Sequence, residues 1–266
     1  MKDLRYATQC SYIRQRAGLD PAPFFAISPS IPSPLPGGSI LRTSPVSGSR
    51  VAAMAASPRR APVMTREKQA AMTPAQAVQE LRDGNARFVA GRPLARDIRA
   101  QVAIEEQFPF AAIVSCIDSR TSNELVFDQG PGDIFSSRIA GNVIDGSVLG
   151  GLEFACRIGG AKAIVVVGHT SCGAVKGAID RLQIGHLTGV LQRIEPAIAQ
   201  VMPAFAHRTS SDPRLVDAVT QANVRVAMRH IREDSGVLRE MIERGELAVA
   251  GAVVDLATGR ADFLAD

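Results

Sequence analysis

Hydrophobic residues after position 72 form short continuous runs separated by longer segments of mixed polarity. The runs Ala111–Ser115, Ala163–Val167 and Leu247–Val254 have the length and composition of buried strands. Between and around them lie segments of helical length, Gly146–Ile158, Ala174–Leu182, Val190–Phe205 and Leu215–Arg232. Because buried strands that alternate with helices form parallel sheets, the pattern predicts an α/β fold with a mostly parallel central sheet flanked by helices.

Local signals predict where this folded part begins and ends. Thr73, Pro74 and Gln76 have the residue types of an N-cap, a first helical position and a capping-box partner, so a helix is expected to begin there. At the other end, Asp255–Arg260 predicts a turn into a last strand, Ala261–Leu264, at an edge of the sheet.

Residues 1–70 differ in composition from the rest of the chain. Nine of the sixteen prolines lie between Pro21 and Pro62, among serine, glycine and alanine, and such a segment is expected to be disordered. We predict a leader over residues 1–70 and one folded domain over residues 71–266. The leader is interpreted as a tail, with a cytoplasmic protein, or as a transit peptide to an organelle such as a plastid or mitochondrion.

Charge and cysteine content narrow the class of protein. The net charge of +4 comes from the leader, which has ten basic and three acidic residues, whereas the remainder has 20 basic and 23 acidic residues. A slightly acidic folded part argues against a nucleic-acid partner, and the apolar runs are too short to span a membrane. Four cysteines are too few for a disulfide scaffold, so free thiols in a reducing compartment are expected.

Two polar clusters follow predicted strands. Cys116-Ile117-Asp118-Ser119-Arg120 follows the first strand, and His169-Thr170-Ser171-Cys172-Gly173 follows the second. If these strands are adjacent and parallel, both clusters lie at the same edge of the sheet, where open α/β sheets bind their ligands. Two thiolates and one imidazole suit Zn²⁺.

The neighbouring Asp118 and Arg120 suggest control of that site. Three protein ligands leave a fourth position for water or a carboxylate. If Arg120 holds Asp118 away from the metal, the site stays open; if the pair breaks, Asp118 can become the fourth ligand and close the site.

Other cysteines and histidines are expected to have no part in this chemistry. Cys156 lies in a helix-like apolar segment and is predicted to be core, while Cys10 lies in the leader. The remaining histidines are expected on the surface, His186, His207 and His230.

Taken together, these motifs resemble the β-class carbonic anhydrases. The pattern Cys-x-Asp-x-Arg is followed about fifty residues later by His-x-x-Cys-Gly. The similarity extends from Met72 to the end of the chain and includes three further segments, Glu80–Phe88, Phe127–Phe135 and Arg138–Asn142.

The resemblance implies a role for each matching residue. Zn²⁺, one per chain, would be held by Cys116, His169 and Cys172, and zinc-bound hydroxide would attack CO2 to give bicarbonate. Asp118 and Arg120 would form a gating dyad, with Asp118 a fourth ligand only in a closed state.

Further residues are assigned to the substrate by the same resemblance. Gln107 and the backbone N–H of Gly173 would bind substrate oxygen. Phe135, Ala140 and Phe154 would line an apolar CO2 pocket, partly from a second subunit, so a dimer or higher oligomer is implied; for Ala140 a simple core role is an equal alternative.

The chain differs from the family in one respect. Some members close their site through a bicarbonate site built from Trp, Arg and Tyr, but this chain has no Trp, and its only tyrosines are Tyr6 and Tyr12. We therefore expect a site that stays open near neutral pH.

Two functions other than CO2 hydration are also considered. One is a CS2 or COS hydrolase on the same scaffold, and the other is a zinc-stabilised binding module without turnover.

Overall fold

The sheet is mostly parallel and has the last strand of the chain at its edge, as expected from the sequence. In the computed structural model, which describes residues 63–265, five strands form one sheet in the order β2-β1-β3-β4-β5. The first four are parallel and the last pair is antiparallel. The strands are β1 (Ala111–Ser115), β2 (Ile134–Arg138), β3 (Ala163–His169), β4 (Ala248–Val254) and β5 (Ala261–Phe263).

Ten helices flank this sheet among the described residues. A 3-10 turn, Ala140–Asn142, follows β2, and a π-helical turn, Phe154–Ile158, extends the fifth helix. The helices are α1 (Arg66–Ala71), α2 (Pro74–Val89), α3 (Ile98–Val102), α4 (Asn123–Val126), α5 (Gly146–Glu153), α6 (Gly173–Ile179), α7 (Leu187–Gln192), α8 (Glu195–Val201), α9 (Pro213–Asp234) and α10 (Gly236–Glu243).

The two central strands are buried along their whole length because helices cover both faces of the sheet. Every residue of β1 and β3 is buried. On one face, Ala112, Val114 and Ile164 pack with residues of α5, α9 and α10. On the other, Ile113 and Val165 pack with residues of α2. Continuous apolar runs are therefore the correct signature of these strands.

The helix expected at Thr73 is present with its predicted cap. The Thr73 side chain accepts a hydrogen bond from the Gln76 N–H, and the Gln76 side chain accepts one from the Thr73 N–H. This capping box confirms the predicted start of α2.

Helical structure begins before the expected domain boundary at residue 71. Helix α1 covers Arg66–Ala71, and the buried Gln69 donates hydrogen bonds to the carbonyls of Pro109 and Gly159, both 2.7 Å away. These long-range bonds attach the helix to the core, so residues 66–70 do not belong to a disordered leader. Residues 1–62 lie outside the described part of the chain, and the leader remains a prediction for them.

Several elements differ from the sequence expectation. Strand β2 was not predicted, because Ile134–Arg138 contains two serines and an arginine and is only partly buried. The expected helix Val190–Phe205 is divided into α7, α8 and a 3-10 turn, Met202–Ala204. Helices α3, α4 and α10 were also not predicted. None of the described helices is long and apolar enough to cross a membrane.

Candidate metal centre

The carboxyl ends of β1 and β3 bring together two cysteines and a histidine. The strands are parallel neighbours, with Ser115 paired to Val167, so Cys116 and His169 emerge at the same edge. The third residue, Cys172, precedes α6. All three side chains are buried, their ligand atoms lie within 4.8 Å of one another, and the two Sγ atoms are 3.9 Å apart.

A tight turn after β3 returns the chain so that Cys172 faces Cys116. Ser171 has a φ of 56°, a left-handed conformation that few non-glycine residues adopt. The turn is held by β4 and the segment after it, since the Thr170 N–H donates to the Val254 carbonyl and the Leu256 N–H donates to Thr170 Oγ1. Backbone strain at such a position is typical of functional sites.

His169 is oriented to use its Nε2 atom as a ligand. Its Nδ1 lies 3.0 Å from the Thr170 carbonyl oxygen, which fixes the ring. Nε2 is buried, and no hydrogen bond from the described residues reaches it. A buried ring nitrogen without a partner, facing two sulfur atoms, fits coordination to a metal.

The two thiols influence each other strongly. The hydrogen bond from Cys172 lowers the pKa of Cys116 to about 4, and the same interaction raises the pKa of Cys172, because two adjacent buried thiolates repel each other. Burial alone lowers the pKa of His169, but its interactions with Cys116 outweigh burial, and this pKa is raised. A divalent cation would displace these protons, since metal ligands bind deprotonated.

Asp118 lies beside this cluster and is held by Arg120. Arg120 donates from Nε to Oδ1 over 2.9 Å and from Nη2 to Oδ2 over 2.7 Å, and its backbone N–H also donates to Oδ1. The Oδ2 atom is 3.9 Å from His169 Nε2. The hydrogen bonds from Arg120 keep the pKa of Asp118 well below its usual range, so this carboxylate is ionised at neutral pH.

Arg138, at the end of β2, holds the loop that carries Cys116 and Asp118. It donates from Nε to the Cys116 carbonyl and from Nη2 to the Asp118 carbonyl, over 3.2 and 2.5 Å. Arg138 had no predicted role of its own. The only sequence signal was its position in the family-like segment Arg138–Asn142. Its contacts with the Cys116 and Asp118 carbonyls could not be predicted, because they depend on the pairing of β1 with β2.

Two of the other predicted residues lie next to the cluster. Gly173 directly follows Cys172 and begins α6, and its backbone is exposed. Ala140 begins the turn in which the Gly141 N–H donates to Cys116 Sγ.

Three predicted substrate residues do not meet the cluster of their own chain. Phe135 pairs in register with Ala112, four residues before Cys116, and its ring packs against Phe154 with centroids 6.3 Å apart. Gln107 is exposed and precedes β1. It therefore lies near the amino end of that strand, whereas the cluster lies at the carboxyl end. Phe154 is 51% exposed.

The described cysteine and histidines that were predicted to have no part in this chemistry lie elsewhere, whereas Cys10 lies outside the described residues. Cys156 is buried in the π-helical turn, and burial raises its pKa to about 12. His186 and His207 are exposed, and His230 pairs with Asp234 on α9. Within the described residues, Cys116, His169 and Cys172 are the only group of three or more His, Cys, Asp or Glu with metal-binding geometry.

Fold and site together define a class of protein, an α/β protein with a buried Cys-His-Cys cluster that could hold a metal ion at the carboxyl edge of a parallel sheet. A protein-family model described as carbonic anhydrase matches residues 111–261, which include all three candidate ligands. The chain belongs to the carbonic anhydrase family, in its β class. The expectation of a carbonic anhydrase enzyme is thereby confirmed.

Named relatives and solved structures agree with this assignment. Carbonic anhydrase 2 of Mycobacterium tuberculosis H37Rv is 38% identical over 192 residues, which cover 71% of this chain and 91% of that protein. A carbonic anhydrase of Mycolicibacterium smegmatis is 36% identical over 198 residues, covering 71% and 93%.

Two fungal structures share the fold. A tetrameric β-carbonic anhydrase of Sordaria macrospora matches with a TM-score of 0.56 and 24% identity, over 72% of this chain and 95% of that one. The β-carbonic anhydrase CafA of Aspergillus fumigatus matches with a TM-score of 0.55 and 26% identity, over 71% and 89%.

Proposed function

We propose that this protein catalyses the reversible hydration of CO2 to bicarbonate and a proton, with one Zn²⁺ per chain held by Cys116, His169 and Cys172. The observation that carries the proposal is the buried Cys-His-Cys cluster with an ionised carboxylate 3.9 Å from its imidazole. A purely structural site would need a fourth thiolate or imidazole and no such carboxylate.

The donor set determines what the metal contributes and what the chain must provide. When bound, Zn²⁺ lowers the pKa of water so that hydroxide is available near neutral pH. Asp118, ionised and facing the cluster, accepts a hydrogen bond from the nucleophile and orients it. Arg120 holds Asp118 through both carboxylate oxygens, which keeps the carboxylate from becoming a fourth ligand. We infer a site that is open at neutral pH.

The substrate-binding residues divide into two groups by their position. Gly173 lies next to Cys172, where its backbone N–H can donate to a substrate oxygen. Gln107, Phe135 and Phe154 lie away from the cluster of their own chain, so we assign them to the site of a second copy. An apolar pocket suits CO2, which carries no charge.

The outer edge of β2 supports such self-association. The Asp133 carbonyl and the Ile139 N–H both bond toward β1. Because backbone groups alternate along a strand, the N–H and C=O of Ser136 and Arg138 point away from β1. Among the described residues no strand pairs with that side of β2, so its backbone can pair with another chain.

A cytoplasmic location remains a prediction, as does the alternative of a location in an organelle.

The proposed function is tested by measuring zinc content and CO2 hydration on the purified full-length protein. We expect one zinc per chain, rapid hydration, and loss of both after treatment with a zinc chelator. Faster hydrolysis of COS or CS2 than hydration of CO2 would instead support the sulfur-substrate alternative, and bound zinc without either activity would support the binding module.

Matched cysteine variants locate the activity in the structure. Cys116→Ala removes a proposed ligand and should abolish zinc binding and hydration. Cys156→Ala removes an equally buried thiol outside the cluster and should retain both. Equal loss in the two variants would contradict the assigned ligand set.

A further inference from the structure

A backbone amide in the turn after β2 contacts one of the proposed metal ligands. The Gly141 N–H donates to Cys116 Sγ over 3.4 Å. Gly141 has φ 71° and ψ 18°, a left-handed conformation that suits glycine. A Cβ at this position would also lie 2.8 Å from Ile194 Cδ1. Both conformation and space therefore require glycine where the amide meets the sulfur.

The carbonyl of the same glycine is held by helix α9. Asn223, which is 2% exposed, donates from Nδ2 to the Gly141 carbonyl over 2.7 Å. Its neighbours Ala222 and Val224 are buried and apolar. A buried amide is unfavourable unless its polar atoms find partners. The bond to Gly141 gives this polar residue a partner inside an apolar core, 82 residues away along the chain.

We propose that Asn223 is a positioning residue for the metal centre, which holds the Gly141 peptide so that its N–H points at the sulfur of Cys116. The inference rests on the zinc-binding function proposed above. Hydrogen bonds to a ligating atom fix its direction and reduce its charge, and such outer contacts tune metal affinity. Asn223 would thus connect α9 to the chemistry of the site without touching substrate.

A merely structural asparagine would have a different effect. Removing it would lower the stability of the fold but leave the electronic environment of the bound metal unchanged. A positioning residue would change metal affinity and the spectrum of the metal–sulfur bond in protein that is still folded. The test therefore measures the metal centre directly, in addition to activity.

The main experiment compares Asn223→Leu with Thr220→Val in the full-length protein. Thr220 is a buried polar residue on the same helix, but its hydroxyl donates to the Val216 carbonyl of that helix. Zinc affinity is measured by competition with a chelator, and the cobalt-substituted proteins are compared by their sulfur-to-cobalt absorption band. We expect Asn223→Leu to lower zinc affinity roughly 10- to 100-fold and to shift the band. Thr220→Val should leave both unchanged.

Several results would overturn the proposal. Wild-type affinity and spectrum in Asn223→Leu would do so, as would an equal loss of affinity in both variants with an unshifted band. A wild-type protein that binds no zinc would overturn the proposed function as well, so the two failures are distinguishable.

A second measurement does not depend on the folding of Asn223→Leu. In wild-type protein loaded with cadmium-113, the Gly141 amide proton should show scalar coupling to the metal through the Cys116 sulfur. The milder variant Asn223→Ser should weaken this coupling. Absence of the coupling in the wild-type protein, or an unchanged coupling in Asn223→Ser, would contradict the inference.

Discussion

At the scale of single residues, the candidate site depends on where one carboxylate is held. Asp118 lies close enough to His169 to reach a metal bound there, yet its two oxygens are bonded to Arg120. Because Arg120 lowers the pKa of Asp118, the ion pair is lost only as the pH falls well below neutrality. Asp118 therefore stays ionised throughout the neutral pH range, and the position in which Arg120 holds it determines whether it can bind the metal.

Replacing Arg120 should therefore affect activity much more than stability. In Arg120→Ala the Asp118 carboxylate is free to move toward the metal, and we expect CO2 hydration at pH 7 to fall roughly 10- to 100-fold. Arg120→Lys should not retain the wild-type hydration rate, because lysine lacks the planar guanidinium that donates to both carboxylate oxygens. The measurement is the initial rate of hydration per bound zinc.

A second Asp-x-Arg pair provides the control for this prediction. Arg214 donates to Asp212 through the same three groups at the start of α9, away from the cluster. Arg214→Ala removes an equivalent surface ion pair and should leave the hydration rate within about twofold, since exposed pairs contribute little. Similar losses in the two variants would contradict a specific role for Arg120.

The cluster could be located from the sequence because its residues follow recognisable strands. Cys116 and His169 each end a continuous apolar run, and parallel pairing then places them together. Asn223 and Arg138 could not be found in this way. Their contacts depend on tertiary packing, so the local sequence does not show that Asn223 bonds to Gly141 or that Arg138 bonds to the loop of Cys116.

At the scale of elements, helix α2 holds together several parts of the chain. Asn85 donates from Nδ2 to the carbonyls of Val126 and Gly259, over 3.0 and 2.9 Å, and its Oδ1 accepts from the Ala261 N–H over 2.9 Å. One residue earlier, a Cβ on Gly84 would lie 1.8 Å from the Phe127 carbonyl oxygen. These contacts explain why the helix carries glycine and asparagine within its polar stretch.

Removing the Asn85 side chain should destabilise the fold without altering the site. Asn85→Ala leaves two carbonyls and one N–H without their partner, and we expect the free energy of unfolding to fall by about 2–3 kcal/mol. Denaturant unfolding provides the measurement. Gln79→Ala, at an exposed position on the same helix, should change it by less than about 0.5 kcal/mol. Equal effects would indicate that the three bonds contribute nothing.

Elements were predictable where a single physical signal dominated. The capping box gave the start of α2, and apolar runs gave β1, β4 and most of β3. Strand β2 was missed because a strand at the edge of the sheet, with one partner and partial burial, needs no apolar run. The π-helical turn after α5 has no sequence signal comparable to a cap, so Phe154 and Cys156 were placed only within a longer helical segment.

At the scale of the whole molecule, the proposed substrate residues would form one site with the cluster only if chains associate. Gln107 precedes β1, and Phe135 and Phe154 pack together beside β1 and β2, away from the cluster of their own chain. The outward-facing backbone of β2 offers a surface through which a second chain can approach. We therefore expect a particle at least twice the chain mass of 28.2 kDa.

A proline on β2 tests this association. The Ser136 N–H points away from β1, so Ser136→Pro removes a donor for which no described strand supplies an acceptor, and the fold should tolerate it. Light scattering after size-exclusion chromatography should show a shift toward the monomer. Ser136→Ala also loses the bond to Glu124 but keeps the backbone N–H, and should remain associated. Identical masses for the two variants would contradict the proposed surface.

This carbonic anhydrase is proposed to have a metal centre that stays open at neutral pH. The most direct test of this proposal is stopped-flow CO2 hydration by the zinc-quantified full-length protein at pH 7.0 and again at pH 8.5. Because Arg120 retains Asp118 at both values, rapid hydration is expected at both, with rates within about one order of magnitude. Hydration only at pH 8.5 would show that Asp118 closes the site near neutrality, and no hydration at either pH with one zinc per chain would contradict the proposed activity itself.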